Sequence, residues 1–248
     1  MVWRRHALEA ITAIDAAVSE ADVFRCLVDY ARNLGAEMVS YHHMAPPLAP
    51  GHERINLLSD GFPEGWVATY REEKYHRIDP ITSYAQTRTR PILWSEVGRD
   101  IPVADEQQAY LDALWEWLSP GDGLAIPLFG PGGRHGYVGM GTQHALEPWN
   151  AVQVRVAQMV CEAFHLRYTE LRLAALPQDF ELTERELAVL RLLADGHPDW
   201  MISALSGATP DAVPTLIAGV LSKMGVTDRA SAIVRARGLG LVEAKGAR

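Results

Sequence analysis

With 248 residues, 48% of them hydrophobic and 22% charged, the chain is composed like an ordinary soluble globular protein, with room for one large domain or for a larger and a smaller one. Its 23 Lys and Arg against 31 Asp and Glu, a net charge of −8, argue against broad nonspecific nucleic-acid binding, whose affinity comes from cations displacing condensed counterions. No apolar run reaches the ~18 residues needed to span a bilayer, and MVWRRHALEAITAID carries charges within its apolar stretch, unlike a signal peptide, so a cytoplasmic protein is expected.

In chain order, Leu8, Ile11, Ile14 and Val18 recur at helical spacing, and Ser19 with Asp22 reads as a capping box. The second helix then sets Phe24, Leu27, Val28, Ala31 and Leu34 on one face and stops at Gly35. EMVSYHHM and RINLLS are short β-rich runs separated by APPLAPG, and both read as strands. Pro63 is expected to start a helix through PEGWVATYREEKY, and DEQQAYLDALWEWL is another. GLAIPLF and HGYVGMGT flank GPGGR, a hairpin signal. A long helix over 148–174 follows, with Val152, Val156, Met159, Val160, Ala163 and Leu166 towards one side. Cys26 and Cys161 both fall in apolar helical patterns and are expected as core thiols.

This order predicts an α+β domain over residues 1–174, with an antiparallel sheet and helices on both faces. Residues 175–180, ALPQDF, read as a linker, and 181–248 as a small all-α domain. Four short helices in TERELAVLRLLAD, PDWMISALS, a stretch beginning within 210–214, and RASAIVRARG, with turns at Gly196 and Gly207, fit a helix-turn-helix.

The C-terminal residues Leu182, Thr183, Arg185, Glu186, Leu190, Gly196, Val213, Lys223, Gly225, Val226 and Arg229 fall in a register that resembles the DNA-binding domain of the LuxR family of bacterial regulators. Upstream, Trp66, Tyr70, Tyr75, Asp79, Pro80, Trp94 and Gly123 match the autoinducer-binding domain of its quorum-sensing branch. The resemblance implies an α/β/α sandwich enclosing an N-acyl-homoserine lactone, joined to a helix-turn-helix that binds promoter DNA as a dimer. It also implies that the Trp66 indole N–H donates to the lactone carbonyl and Asp79 accepts from the ligand amide, with Tyr70 and Trp94 walling the chain and ring.

The residues themselves are compatible with that picture. Trp66 and Tyr70, four apart, share a helix face, and each carries a polar tip on an apolar body. Plain core packing would use the same aromatics, and Asp79 before Pro80 would also serve as a helix cap. His42 and His43 are adjacent on a strand and point to opposite faces, which makes them poor joint metal ligands. Nothing resembles a nucleophile motif or phosphate loop, so neither an enzyme nor a cofactor is expected.

Two departures bear on the ligand. Phe62 stands where the family usually has Tyr, and Gly139 where a Ser or Thr often assists, so the acyl carbonyl is expected to lose two partners. Gly136, Gly139 and Gly141 are also expected to leave space along their strand. The ligand-site candidates are thus Phe62, Trp66, Tyr70, Tyr75, Asp79, Trp94, Gly123 and Gly139, with weak or altered lactone binding or an unrelated ligand as the outcome.

The DNA-binding half departs further. Between His197 and Ser222 there is no Lys or Arg, and Ala212-Val-Pro-Thr-Leu216 replaces the family's Thr-Val-Lys-x-His. Residues 177–248 hold eight Lys and Arg against nine Asp and Glu. Because Pro is tolerated only in a first helical turn, Pro214 predicts a recognition helix shortened by about two residues and capped by Asp211. Thr209, Thr215, Lys223 and Arg229 remain as DNA-contact candidates. Two mechanisms stay open: conventional ligand-controlled transcription by a homodimer, or an antiactivator that heterodimerises with a DNA-binding relative. A ligand-storage protein is a third.

Overall fold

The computed structural model describes residues 2–44, 55–63, 65–118, 121–130, 134–144, 149–175 and 181–242. The loop APPLAPG, the hairpin tip at 131–133 and all but Ala175 of the expected linker lie outside them. The chain divides into two compact units, one of residues 1–43, 56–130 and 135–172, the other of 173–248 with the short stretches 44–55 and 131–134.

The first unit is built on a five-stranded sheet in the order β2-β1-β5-β4-β3. Its strands are β1 (Met38–Met44), β2 (Ile55–Asp60), β3 (Ile92–Leu93), β4 (Asp122–Phe129) and β5 (His135–Thr142). The β4–β5 hairpin is antiparallel from Asp122↔Thr142 to Phe129↔His135. On one face, Val39 and Tyr41 of β1, Ile126 and Leu128 of β4, and Val138 and Met140 of β5 meet three helices. These are α1 (Val2–Ala16), α2 (Glu20–Asn33) and the long α6 (Ala151–Ala174). Alternate residues, Ser40 and His42 on β1 and Tyr137 on β5, point the other way, towards α3 (Trp66–Glu72), α4 (Pro80–Ala85) and α5 (Asp105–Leu118). The α+β class and the sandwich follow from this two-residue alternation, which gives the sheet two apolar faces that each need a cover.

Local chemistry sets the helix ends. The Ser19 hydroxyl accepts from the Asp22 N–H, and Gly35 takes the left-handed backbone that stops α2. Three expectations are corrected here. Along α1 and the two residues after it, Ile14 is buried, but Ala7, Ala10 and Ala17 complete the inward face, while Leu8 is 69% and Val18 79% exposed. Close packing of α1 against α2 selects the small residues. Pro63 does not open α3: Gly65 sits at φ 89, so the helix starts at Trp66, and Lys74 at φ 54 ends it before a single 3-10 turn over Tyr75–Arg77. Cys26 is only partly buried, whereas Cys161 is fully inside, and both are free thiols.

The second unit contains α7 (Glu184–Ala194), α8 (Asp199–Ser206), α9 (Ala212–Lys223) and α10 (Arg229–Gly238). Thr183 and Glu186 form a reciprocal capping box at α7, and Gly196 and Gly207 turn the chain at φ 81 and 70. Leu190, Val220, Met224, Ala232 and Ala236 make one apolar cluster, and Val189, Ile202, Val213 and Ile217 a second. Pro214 is the third residue of α9, inside the first turn, where its missing N–H is tolerated. Asp211 does not cap, contrary to expectation. Its backbone is already helical at φ −73, ψ −23, its side chain makes no cap bond, and the Thr209 carbonyl accepts from the N–H groups of Ala212 and Val213 instead.

Candidate functional site

On the sheet face turned away from α1, α2 and α6 lies a cavity of about 450 Å³, part of it continuous with solvent. Helices supply Trp66, Val67 and Tyr70 from α3, Ile81 from α4, and Tyr110 and Leu114 from α5, joined by Phe62, Asp79 and Trp94 from connecting segments. The floor is Ser40 and His42 of β1, Leu57 and Ser59 of β2, and Tyr137 of β5.

Asp79 is the charged centre of this wall and is almost wholly buried. As the N-cap of α4, with Pro80 in the first turn, its carboxylate accepts from the N–H groups of Ile81 at 2.9 Å and Thr82 at 3.2 Å. The Thr82 hydroxyl donates at 2.8 Å and the Tyr70 hydroxyl at 3.0 Å. Burial nevertheless pushes the carboxyl above the usual carboxylate range, against those bonds. Tyr70 is raised as well, first by burial and then by Asp79, so the proton stays on the phenol and the carboxylate remains the acceptor. The cap and the pocket wall are therefore one residue.

Trp94 explains the glycines. A Cβ on Gly123 would lie 2.4 Å from its ring, one on Gly141 2.7 Å, and one on Gly139 2.9 Å. These positions admit the indole flat against the sheet, so they leave no added space for a ligand; a Cβ on Gly136 would instead meet His165 and Tyr41 on the opposite face. Gly123 and Gly139 therefore stand behind Trp94 and do not line the cavity. Tyr75 stands back too, its ring packed on Trp66, Tyr70 and Tyr110. A Cβ on Gly139 would also be 2.7 Å from Ser40 Oγ on the neighbouring β1 and 2.9 Å from the Tyr137 hydroxyl on its own strand. Two hydroxyls thus occupy the region where a Ser at 139 would have placed one.

Sequence reasoning missed Ser40, Ser59, Tyr110, Leu114 and Tyr137 as lining residues, and considered His42 only as a metal ligand. The alternation in VSYHH was the available signal, since it sends Ser40 and His42 to one face and Tyr41 and His43 to the other. Burial holds His42 neutral, with its pKa lowered to about 3. Its ring meets Tyr70 and Tyr137 edge-on, and its Nδ1 is buried with no hydrogen-bond partner among the described residues.

In the second unit four cations are engaged within the unit, while Arg185 and Arg191 on α7 are exposed. Lys223 Nζ donates to Glu186 at 2.7 Å and to the Glu181 carbonyl at 3.0 Å. Arg229 grips Asp199 with two bonds of 2.6 and 2.9 Å. Arg235 donates to the Met224 carbonyl and Arg237 to that of Ala194. Burial would raise the Glu186 pKa, but bonds from Lys223 and Thr183 hold it below the ordinary value. The exposed side of α9 shows Pro214, Thr215, Ala218 and Ser222, with Thr209 exposed just before it and Trp200 on α8 67% exposed.

Residues 19–168 match the autoinducer binding domain family, and residues 181–236 match the bacterial regulatory proteins of the luxR family. The chain belongs to the LuxR family of autoinducer-binding transcription regulators. It is 29% identical over 191 residues to the transcriptional activator protein PhzR of Pseudomonas fluorescens, covering 73% of each chain. To the transcriptional activator protein LuxR of Aliivibrio fischeri it is 22% identical over 244 residues, 94% of this chain and 93% of that one. SdiA in complex with octanoyl-rac-glycerol shares the fold with a TM-score of 0.70 at 16% identity over 96% of both chains. The family consists of DNA-binding regulators rather than enzymes. Among the described residues of this LuxR-family chain, no helix is long and apolar enough to cross a membrane, and no group of three or more His, Cys, Asp or Glu converges as metal ligands.

Proposed function

We propose that this protein is a cytoplasmic transcription regulator whose cavity takes an N-acyl-homoserine lactone or close analogue, and whose helix-turn-helix holds promoter DNA weakly. The observation that carries the ligand reading is the buried Asp79–Tyr70 pair beside Trp66, in a cavity that Trp94, Tyr110 and Tyr137 also line. A buried carboxylate selects a donor such as an amide N–H, and the aromatic walls suit an apolar body. Phe62 removes one hydroxyl from the acyl carbonyl, while Ser40 and Tyr137 offer replacements. Calorimetry with a panel of lactones of increasing chain length tests this. Binding that disappears in Asp79→Ala supports it; no heat with any lactone contradicts it.

The weak-DNA half rests on Lys223 and Arg229, each engaged by a carboxylate of its own unit. Half or more of protein–DNA hydrogen bonds go to phosphate and sugar, with Arg and Lys prominent. Those same pairings favour the second reading, an antiactivator that joins a DNA-binding relative in a heterodimer. Both readings use the exposed stripe of α6, Val152, Met159 and Leu166, each seven residues apart and half exposed or more, as the dimer seam. A gel shift on the protein's own upstream region, beside co-purification with a related regulator, separates them.

A further inference from the structure

The floor of the cavity is more polar than an alkyl chain requires. Ser40 and His42 enter from β1, Ser59 from β2 and Tyr137 from β5, while Leu57 is the one aliphatic side chain that the described strands add to the lining. His42 is 4% exposed, and among the described residues its Nδ1 has no hydrogen-bond partner. A buried imidazole atom left unbonded is destabilising, and covering it with methylene groups would leave that penalty in place. A ligand oxygen would remove it. The neutral ring offers one donor and one acceptor, so it can serve a hydroxyl in either direction.

Resting on the reading of this cavity as the sensor site, we infer that the ligand's tail carries a hydroxyl group, which bonds to His42 on the sheet floor with Ser40 or Ser59 beside it. The head of the ligand lies at Asp79, and the tail hydroxyl is a second anchor. The bonded site discriminates by leaving its own polar atom unsatisfied when the hydroxyl is missing, which is stronger selection than a missing methylene gives.

Melting shifts and calorimetry on the full chain test this with two matched pairs across several tail lengths. One pair is an N-acyl-homoserine lactone with and without a terminal hydroxyl; the other is the corresponding acyl glycerol with and without it. The hydroxylated lactone is expected to bind about tenfold tighter or more. His42→Leu is expected to reverse the preference, and His42→Gln, which keeps a donor and an acceptor, to retain it. Should His42→Leu fail to fold, the wild-type pairs and Ser40→Ala carry the test, with Ser40→Ala expected to narrow the preference. Equal or tighter binding of the bare tails overturns the inference while leaving the lactone reading intact. A hydroxyl preference confined to the glycerol pair, with no lactone bound, overturns the lactone reading alone. No shift with any of the four overturns both.

Discussion

The Asp79 carboxylate accepts from Ile81, Thr82 and Tyr70 and still has its pKa pushed up by burial. A carboxyl whose folded pKa lies above its unfolded value adds stability at low pH and loses it as pH rises through the folded value. Above the folded value the ionised group is therefore a liability of the empty protein that a ligand donor relieves. Asp79→Asn keeps the cap acceptor but not the charge. The expected result is an unliganded melting temperature no lower than wild type at pH 7, with ligand affinity reduced by about 1.5–3 kcal/mol, tenfold to about a hundredfold. A lower melting temperature with unchanged affinity would reduce Asp79 to a cap. His42 gives the opposite pH dependence. The unfolded chain takes up its proton near 6.5, whereas the folded ring resists until about 3. Stability therefore falls progressively as pH drops through that window. Denaturant melts from pH 7 to 4 should show the fall, and His42→Gln should flatten part of it. At this scale the sequence offered Asp79 as a cap, because Asp stands before Pro at a helix start, while its place in the site came from the family resemblance. It hid the role of Ser40, which depends on β1 lying beside β5, a pairing that no local pattern specifies.

Among the elements, α9 separates fold from function. Its apolar positions Val213, Ile217 and Val220 are legible from spacing and are buried as a recognition helix requires. Pro214 placed its start correctly. The cap was misjudged because the Thr209 carbonyl, a backbone group invisible to side-chain reasoning, does the work. Its outward residues give DNA little to hold. Replacing Pro214→Lys and Leu216→His together should strengthen binding to the upstream region about tenfold at roughly physiological salt, since each new phosphate contact releases counterions. Unchanged affinity would mean that the helix does not face DNA. For α7, Thr183→Ala removes the hydroxyl half of the capping box and should lower stability by about 1 kcal/mol in denaturant titration. Glu186 is tied to Lys223 as well, so Glu186→Ala should be the more damaging of the two. The same logic explains α3. A positive-φ glycine at 65 ends the approach from Pro63, and helical propensity counts do not register that backbone turn.

For the whole molecule, the α6 stripe of Val152, Met159 and Leu166 is the feature that most needs a partner. In the sequence these three group with Val156, Val160 and Ala163 on one side, because a core face and a seam look alike there; the burial of Val160 and the exposure of the three separate them. Met159→Asp with Leu166→Asp should convert a dimer to a monomer in light scattering while leaving the sensor folded, and a persisting dimer would place the seam elsewhere. The central claim is that a sensor is kept while the grip on DNA is weakened by the pairing of Lys223 and Arg229 with carboxylates of their own unit. It is tested most directly by titrating a labelled upstream fragment with the purified protein over a range of salt. The account predicts micromolar affinity near 0.15 M salt and a shallow log–log salt slope, of magnitude below about 3. Nanomolar affinity with a slope steeper than about 6 would contradict it.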